Sequence, residues 1–425
     1  MGKIELNNRQ RAIASRVIQS VKSGTQILAF VTGRAGTGKS ILIKYIYKRT
    51  QNDGAVRCAM TNRAAHNIGG MTLHAAFGWP LTRRIKNPHA PAHRARLIII
   101  DEVSMMSASM LQDVESQLRG RGSLPFGGKS ILLVGDFNQL PPVQSAVAYK
   151  SHLWFHFREC AFQLDDNMRQ REQDFDAACI GYIVNGDVAE TLAACKTSDS
   201  IEAVTKRIID AGNIATTQFI FFRNIDVDSQ NVLVAKMLKL RAVSQASIIR
   251  CKKEDSEITA TDVFYIGGRY TATSGAGRLR KGEMYTLEST SDQRATLVDN
   301  VGQRISVGQV PVPWFLNGKP ATKRTLPIRL GFASTVHKAQ GMSFDHVVVN
   351  SAFMGRQLFY VAITRCKSQS GLSILGDIPT SPFNWSGIQL EIFGDSNVEP
   401  SALTGSASGS GQEVHRVDEI QNVLN

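Results

Sequence analysis

Eight consecutive residues, Gly33-Arg34-Ala35-Gly36-Thr37-Gly38-Lys39-Ser40, have the spacing of a loop that cradles phosphates. Its glycines let backbone N–H groups turn inward onto an anion, and a helix beginning at Lys39 adds the positive end of its dipole. Lys39 would reach the β- and γ-phosphates and the Ser40 hydroxyl would ligate Mg²⁺, so ATP and Mg²⁺ are the implied cofactors. Asp101 and Glu102 close the apolar run Leu97-Ile98-Ile99-Ile100. At the carboxyl edge of a parallel sheet they would face the same loop, Asp101 holding the Mg²⁺ shell and Glu102 polarising the attacking water. A lone Asp-Glu pair usually caps the next helix; its place after a strand and downstream of the loop favours the chemical role. A third segment, Gly135-Asp136-Phe137-Asn138-Gln139-Leu140-Pro141-Pro142, again follows an apolar run. There the Gln139 amide is a candidate γ-phosphate sensor, although the segment alone is an ordinary turn.

These groups need strands that end together. Apolar, β-rich runs at 26–32, 56–60, 96–100 and 130–134, with helical stretches between them, predict a parallel sheet covered on both faces. The pattern returns with 218–222, a helix over 227–240, 346–350, a helix near 357–366 and a strand over 371–376. The expected fold is therefore α/β with two such domains, covering 1–160 and 161–254 with 326–397. Short alternating runs over 255–325, such as Met284-Tyr285-Thr286-Leu287, predict a small antiparallel barrel inserted in the second domain. From 398 to 425 the composition is that of a flexible tail, a candidate contact for replication or repair proteins.

Charge narrows the partners. Residues 1–100 hold 17 basic and 2 acidic side chains, whereas the remaining 325 hold 32 and 34, so the positive charge sits on the first domain. Between Gly54 and Ile100 there are seven Arg or Lys residues and no acid, which fits a polyanion. No apolar run is long enough to span a membrane, and no leader, myristoylation signal or other targeting signal is expected. The six cysteines lie far apart without a Cys-x-x-Cys pair, which favours free thiols in an intracellular, reducing compartment over disulfides or zinc.

Taken together, the motifs resemble helicases of superfamily 1, class B, the Dda, RecD and Pif-one-like group. Leu6-Asn7-Asn8-Arg9-Gln10 resembles the Q motif, with Gln10 as adenine reader. Thr61-Asn62-Arg63-Ala64-Ala65 and Thr72-Leu73-His74-Ala75-Ala76-Phe77 resemble the motif Ia region, and Asn167-Met168-Arg169-Gln170 resembles motif IV. Ser334-Thr335-Val336-His337-Lys338-Ala339-Gln340-Gly341 resembles motif V, and Tyr360-Val361-Ala362-Ile363-Thr364-Arg365 motif VI. The order and spacing match over about residues 5–380.

The resemblance implies two RecA-like domains with ATP in the cleft between them, Gly341 beside the nucleotide, and Arg169 and Arg365 as arginine fingers on the γ-phosphate. It implies single-stranded DNA, and forked duplex DNA, crossing the top of both domains in a 5′-to-3′ motor. Thr61, Asn62 and His74 would be contacts in the first domain, and Thr335, His337 and Lys338 in the second. A satisfied interior histidine is an equally good reading of His74 and His337. Residues 77–96 occupy the slot of a strand-splitting pin; there Arg83 and Arg84 would hold phosphates, with Phe77 or Trp79 offering a face to a base. The insert would be a Src-homology-3-like barrel. An RNA-directed helicase, or an ATP-gated translocase that does not unwind, are the alternatives.

Overall fold

The computed structural model describes residues 5–34, 36–80, 87–119, 124–142, 144–166, 173–251, 257–291, 293–316 and 319–394. Its first half is built on a six-stranded, all-parallel sheet. Across that sheet the strands run Met71–Thr72, Ala55–Ala59, Leu97–Asp101, Ser130–Gly135, Leu28–Gly33 and Ala161–Leu164. Alternate residues of the central strands feed two cores. Phe30, Ile98, Ile100, Ile131 and Leu133 point to one face, and Ala29, Val31, Leu97, Ile99, Leu132 and Val134 to the other. Burial on both faces is why these strands read as unbroken apolar runs rather than alternating ones.

The second face is closed by helix Asn8–Ser23 packed on helix Lys39–Thr50. Asn7 and Gln10 form a reciprocal capping box that fixes where the first helix starts, and Gly24, at φ 74°, ends it. Ile13, Ala14, Val17 and Val21 give that helix its buried stripe.

A second parallel sheet runs Ala333–Thr335, Thr217–Phe221, His346–Asn350, Leu372–Leu375 and Lys196–Thr197. Helix Gln173–Asn185 and helix Arg356–Ile363 cover one face, around Phe175, Tyr182, Phe359 and Ile374. Helix Asn224–Met237 covers the other, around Phe219, Val227 and Val234.

Between strands of this sheet the chain forms two antiparallel sheets, one of four strands and one of five. Their pairing begins at Arg241 and ends at Leu330, wider than the 255–325 read from alternation. Arg241–Cys251 and Glu257–Ile266 form a long hairpin whose exposed positions mix polar residues with Ala242, Ala246, Ile258 and Val263, so its first strand carries no clean alternation in sequence.

The end of the chain departs from the expected division. Helix Trp385–Phe393 lies against helix Gln173–Asn185 of the second half and also seals the first: Ile392 is 2% exposed within the core that contains Trp154 and Phe157. Trp154 Nε1 donates to Ile392 O at 3.0 Å, and Lys150 pairs with Glu391 at 2.5 Å. No helix among the described residues is long and apolar enough to cross a membrane. Cys58, Cys160, Cys179 and Cys366 are buried free thiols, and Cys195 is buried as well.

Candidate nucleotide and nucleic-acid site

The phosphate-type loop joins strand Leu28–Gly33 to helix Lys39–Thr50. Gly36 and Gly38 sit at φ 95° and 83°, a region that side chains rarely enter. Gly33 has no room for a Cβ, which would lie 2.6 Å from Thr37 Oγ1 and 2.8 Å from Leu164 O. Thr37 is buried and its hydroxyl donates to Arg34 O at 2.9 Å. The Lys39 ammonium lies across the loop, donating to the carbonyl oxygens of Gly33 and, at 2.8 Å, Arg34. Gln10 is brought to the same place: its Nε2 donates to Thr37 O at 3.1 Å while its Oε1 accepts from Asn7 N at 3.0 Å. The amide therefore braces the loop from beneath. Ala35 lies outside the described residues.

Strand Leu97–Asp101 delivers both carboxylates to the adjoining strand end. Asp101 is 4% exposed. Burial, then the neighbouring Glu102, push its carboxyl up to about 7, against the opposing pull of Lys39 and of the Glu102 N–H, which donates to it. Glu102 has φ 58° and ψ 43°, a left-handed conformation that a non-glycine residue holds only when its surroundings impose it. That turn aims its side chain across the interdomain cleft, where Gln340 Nε2 donates to Glu102 Oε2 at 3.4 Å. Gly341, at φ 75°, lies beside it: a Cβ there would be 3.7 Å from Glu102 Oε1. Asn67 Nδ2 donates to Ser40 Oγ at 3.1 Å. Arg63, Asn67, Asp101, Glu102, Glu283 and Gly341 border a cavity of about 150 Å³.

After strand Ser130–Gly135, Asp136 organises the third motif. Its carboxylate accepts from Asn138 N at 3.0 Å and from Gln139 Nε2 at 3.2 Å, and all three side chains are buried. Gln357 of the second domain reads this turn by donating to Phe137 O at 3.2 Å and Gln139 O at 2.7 Å. Arg34 makes another crossing, to Asp176 at 3.1 Å. Neither Gln340, Gln357 nor Asp176 is predicted by sequence as a cleft residue. Gln340 stands inside a quoted motif, but the other two carry no local signal.

Arg365 is not extended toward the phosphate loop. It is 1% exposed and donates to Val361 O at 2.9 Å, Thr364 Oγ1 at 2.9 Å and Met342 O at 3.4 Å, all within its own domain. Arg169 lies outside the described residues, as do Arg83 and Arg84.

A groove of about 400 Å³ opens where the first domain, the second domain and the insert meet. It unites Thr61 and Asn62 with His337 and Lys338, and adds Arg63, Lys281 and Arg329. Thr61 also caps helix Asn62–Ile68, accepting from Ala64 N at 3.1 Å. Partial desolvation lowers the His337 pKa; Lys338 is lowered likewise, with Arg329 adding to the effect. Arg329 and Lys338 belong to an acid-free window at 301–344 that composition alone marks. Thr335 is buried in the strand leading to the groove.

Three expected contacts are placed elsewhere. Phe77 is fully buried and Trp79 is 5% exposed, with ring centroids 4.8 Å apart in a core with Leu73, Ala92 and Ala95. Neither offers a face to a base, because burying these large rings is what anchors the basic segment to the domain. His74 is outside the groove lining and stands edge-on to Trp79 at 5.9 Å.

Comparison with known proteins agrees with this arrangement. Residues 5–179 match the family model of PIF1-like helicases, and residues 330–373 match that of the UvrD-like helicase C-terminal domain. The ATP-dependent DNA helicase PIF1 of Mus musculus is 26% identical over 411 residues, covering 86% of this chain and 59% of its own length. The chain thus spans well under two thirds of that relative. The ATP-dependent DNA helicase Pif1 of Bdellovibrio bacteriovorus is 25% identical over 407 residues, covering 89% of each chain. The crystal structure of a Bacteroides Pif1 helicase in complex with ADP-AlF3 and ssDNA has the same fold, with TM-score 0.73 at 22% identity over 92% of this chain and 97% of that one.

Proposed function

We infer that the chain belongs to the PIF1-like helicase family, whose model its residues 5–179 match, and that it is an ATP-driven motor that moves 5′ to 3′ along single-stranded DNA and separates duplex strands. One observation carries the reading. The segment Ser334–Gly341 lines the groove through Ser334, His337, Lys338 and Gln340, and the same Gln340 donates to Glu102. The single helical turn Val336–Ala339 carries His337 and Lys338 and leads directly into Gln340. A change of charge at Glu102 is therefore felt by the groove within one rigid element, which is what coupling hydrolysis to translocation requires.

In this reading Gly33, Gly36, Thr37, Gly38, Lys39 and Ser40 hold the triphosphate, with Ala35 completing the loop. Lys39 exchanges two carbonyl partners for phosphate oxygens, and Glu102 orients and deprotonates the attacking water. Gln139 and Gln340 are the amides placed to register the γ-phosphate, and Arg169 and Arg365 supply its positive charge. Mg²⁺ fits the oxygen set of Ser40 and Asp101: the Ser40 oxygen keeps a lone pair beyond its bond from Asn67, and a cation would relieve the buried Asp101 carboxylate. Bound there, the ion would neutralise charge on the β- and γ-phosphates. Thr61, Asn62, His337 and Lys338 would grip phosphates of the strand, with Arg63, Lys281 and Arg329. The antiparallel region is assigned as a Src-homology-3-like barrel, and the segment with Arg83 and Arg84 as the strand-splitting element.

ATP turnover with single-stranded DNA, with single-stranded RNA and with neither tests the motor; forked duplexes with a 5′ or a 3′ tail test its direction. DNA-stimulated turnover and opening of the 5′-tailed fork are expected. Stimulation by RNA alone would make it an RNA-directed enzyme, and turnover without strand separation a translocase. Turnover indifferent to nucleic acid would refute the motor reading.

A further inference from the structure

At the carboxyl edge of the second parallel sheet stands an exposed aromatic ring on which no other aromatic ring packs among the described residues. Phe353 is 64% exposed, on the loop that follows strand His346–Asn350. The loop itself is not loose. Ser351 N and Oγ both bond Leu375 O, at 3.0 and 2.9 Å; Ala352 N donates to Asn350 Oδ1 at 3.1 Å, and Met354 N to Ser351 O at 3.0 Å. Met354 next door is buried, so an apolar anchor is already provided. Phe353 nevertheless has φ 65°, the left-handed region that a bulky residue seldom occupies, and this is what turns its ring outward.

One face of the ring is taken. The Arg223 guanidinium lies 4.3 Å from the ring centroid, held there by Asp226 through bonds of 2.8 and 2.9 Å. Arg223 caps the helix Asn224–Met237. One turn along that helix, about 6 Å away, Val227 lines the groove that holds His337, Lys338 and Arg329. The strands that end in Thr335, Phe221 and Asn350 are neighbours in the sheet, so the groove residues, Arg223 and Phe353 share one sheet edge in that order. Phe222 and Ile225, both exposed, flank the spot.

We propose that Phe353, backed by Arg223, is a stacking platform for one base of the single strand where it runs beyond the groove over the second domain. This rests on the reading of the groove as a single-strand path. A flat ring with a cation behind it and an open front face suits any base, which is the sequence-tolerant contact a translocating protein needs. The surrounding phosphates would be met by Lys338 and Arg329, and Phe353 itself would contribute no charge.

Titration of a fluorescein-labelled oligothymidylate against the full chain at several salt concentrations tests the platform. Phe353→Ala should weaken binding about 5- to 150-fold at each salt with an unchanged salt slope, and Phe353→Trp should restore it. Phe353→Leu, which keeps apolar area without a π face, should behave as the alanine variant does. The exposed ring can be removed without unfolding the domain, which a thermal melt of each variant checks. Wild-type affinity in Phe353→Ala or in Phe353→Leu would overturn the platform while leaving the motor reading intact. Failure of the wild type to bind the oligonucleotide would overturn both.

Discussion

Replacing Arg365 by Ala separates two roles that a single side chain is asked to fill. In the structure its guanidinium satisfies the carbonyl oxygens of Val361 and Met342 and bonds Thr364 Oγ1, with almost none of it exposed. Its loss orphans the Met342 carbonyl oxygen, at about 1–3 kcal/mol of stability, and leaves Val361 O with its bond from Thr364 Oγ1. Against a stability of about 5–15 kcal/mol, the variant stays mostly folded at 25 °C with a lowered melting temperature. Loss of an arginine finger costs about 10³–10⁵ in rate, equivalent to about 4–7 kcal/mol of barrier. The finger role therefore predicts a rate deficit far larger than the unfolded fraction accounts for. The assay is steady-state ATP turnover at saturating single-stranded DNA, beside a thermal melt and nucleotide binding on the same preparation. Arg365→Lys keeps a charge but not the planar fork, and should recover stability more than rate. A rate within tenfold of wild type in folded Arg365→Ala would refute the finger assignment and leave Arg365 as the tie between residues 342 and 361–364.

Lys39→Ala and Glu102→Gln should both abolish turnover, but Lys39→Ala should lose nucleotide affinity whereas Glu102→Gln should keep it and hold single-stranded DNA in a long-lived complex; wild-type turnover in Glu102→Gln would remove that residue as base. Asp101 predicts a pH dependence of stability. Its carboxyl is raised from an ordinary 3.8 to about 7, so between these values the unfolded chain releases a proton that the fold retains, and stability falls as pH rises through the window. Asp101→Asn should accordingly match wild type near pH 4 and exceed it at pH 8, with added Mg²⁺ narrowing the gap; a pH-independent difference in thermal melts would sink the argument.

What the sequence makes legible here is local and periodic. The seven segments read as strands coincide with strands because burial on both faces leaves few polar positions within them, as in Ile98-Ile99-Ile100. The phosphate loop is legible for the same reason: its requirement for glycine at φ 83–95° and for Lys39 one residue into a helix is met by adjacent residues. The hairpin starting at Arg241 is not legible because its exposed positions mix polar and apolar residues and the other neighbour of its first strand, Lys319–Thr325, lies far along the chain. Phe77 and Trp79 were misread for a related reason. Aromatic residues beside arginines have the composition of a base-binding surface, but also that of a basic loop anchored by its rings, and only burial tells them apart.

The largest non-local feature is the return of the chain to its first domain. Ile388, Ile392 and Phe393 join a core built otherwise from residues before 160, so the covalent chain crosses between domains twice: before helix Gln173–Asn185, and again between Leu375 and Trp385. Nothing in the local pattern of Trp385–Phe393 distinguishes this packing from a helix laid on its own domain. The consequence is mechanical. On the proposed motor reading, motion at the cleft would be absorbed at both crossings while Arg34–Asp176, Gln357 to the Phe137–Gln139 turn and Gln340–Glu102 change partners. Those contacts are one or two polar bonds each at a partly buried surface, every bond worth about 0.5–3 kcal/mol, whereas the returning helix buries apolar side chains and adds the Trp154–Ile392 hydrogen bond and the half-exposed Lys150–Glu391 pair. The contacts that must break during closure are thus the weak ones, and the contact that keeps the two domains in register is the strong one.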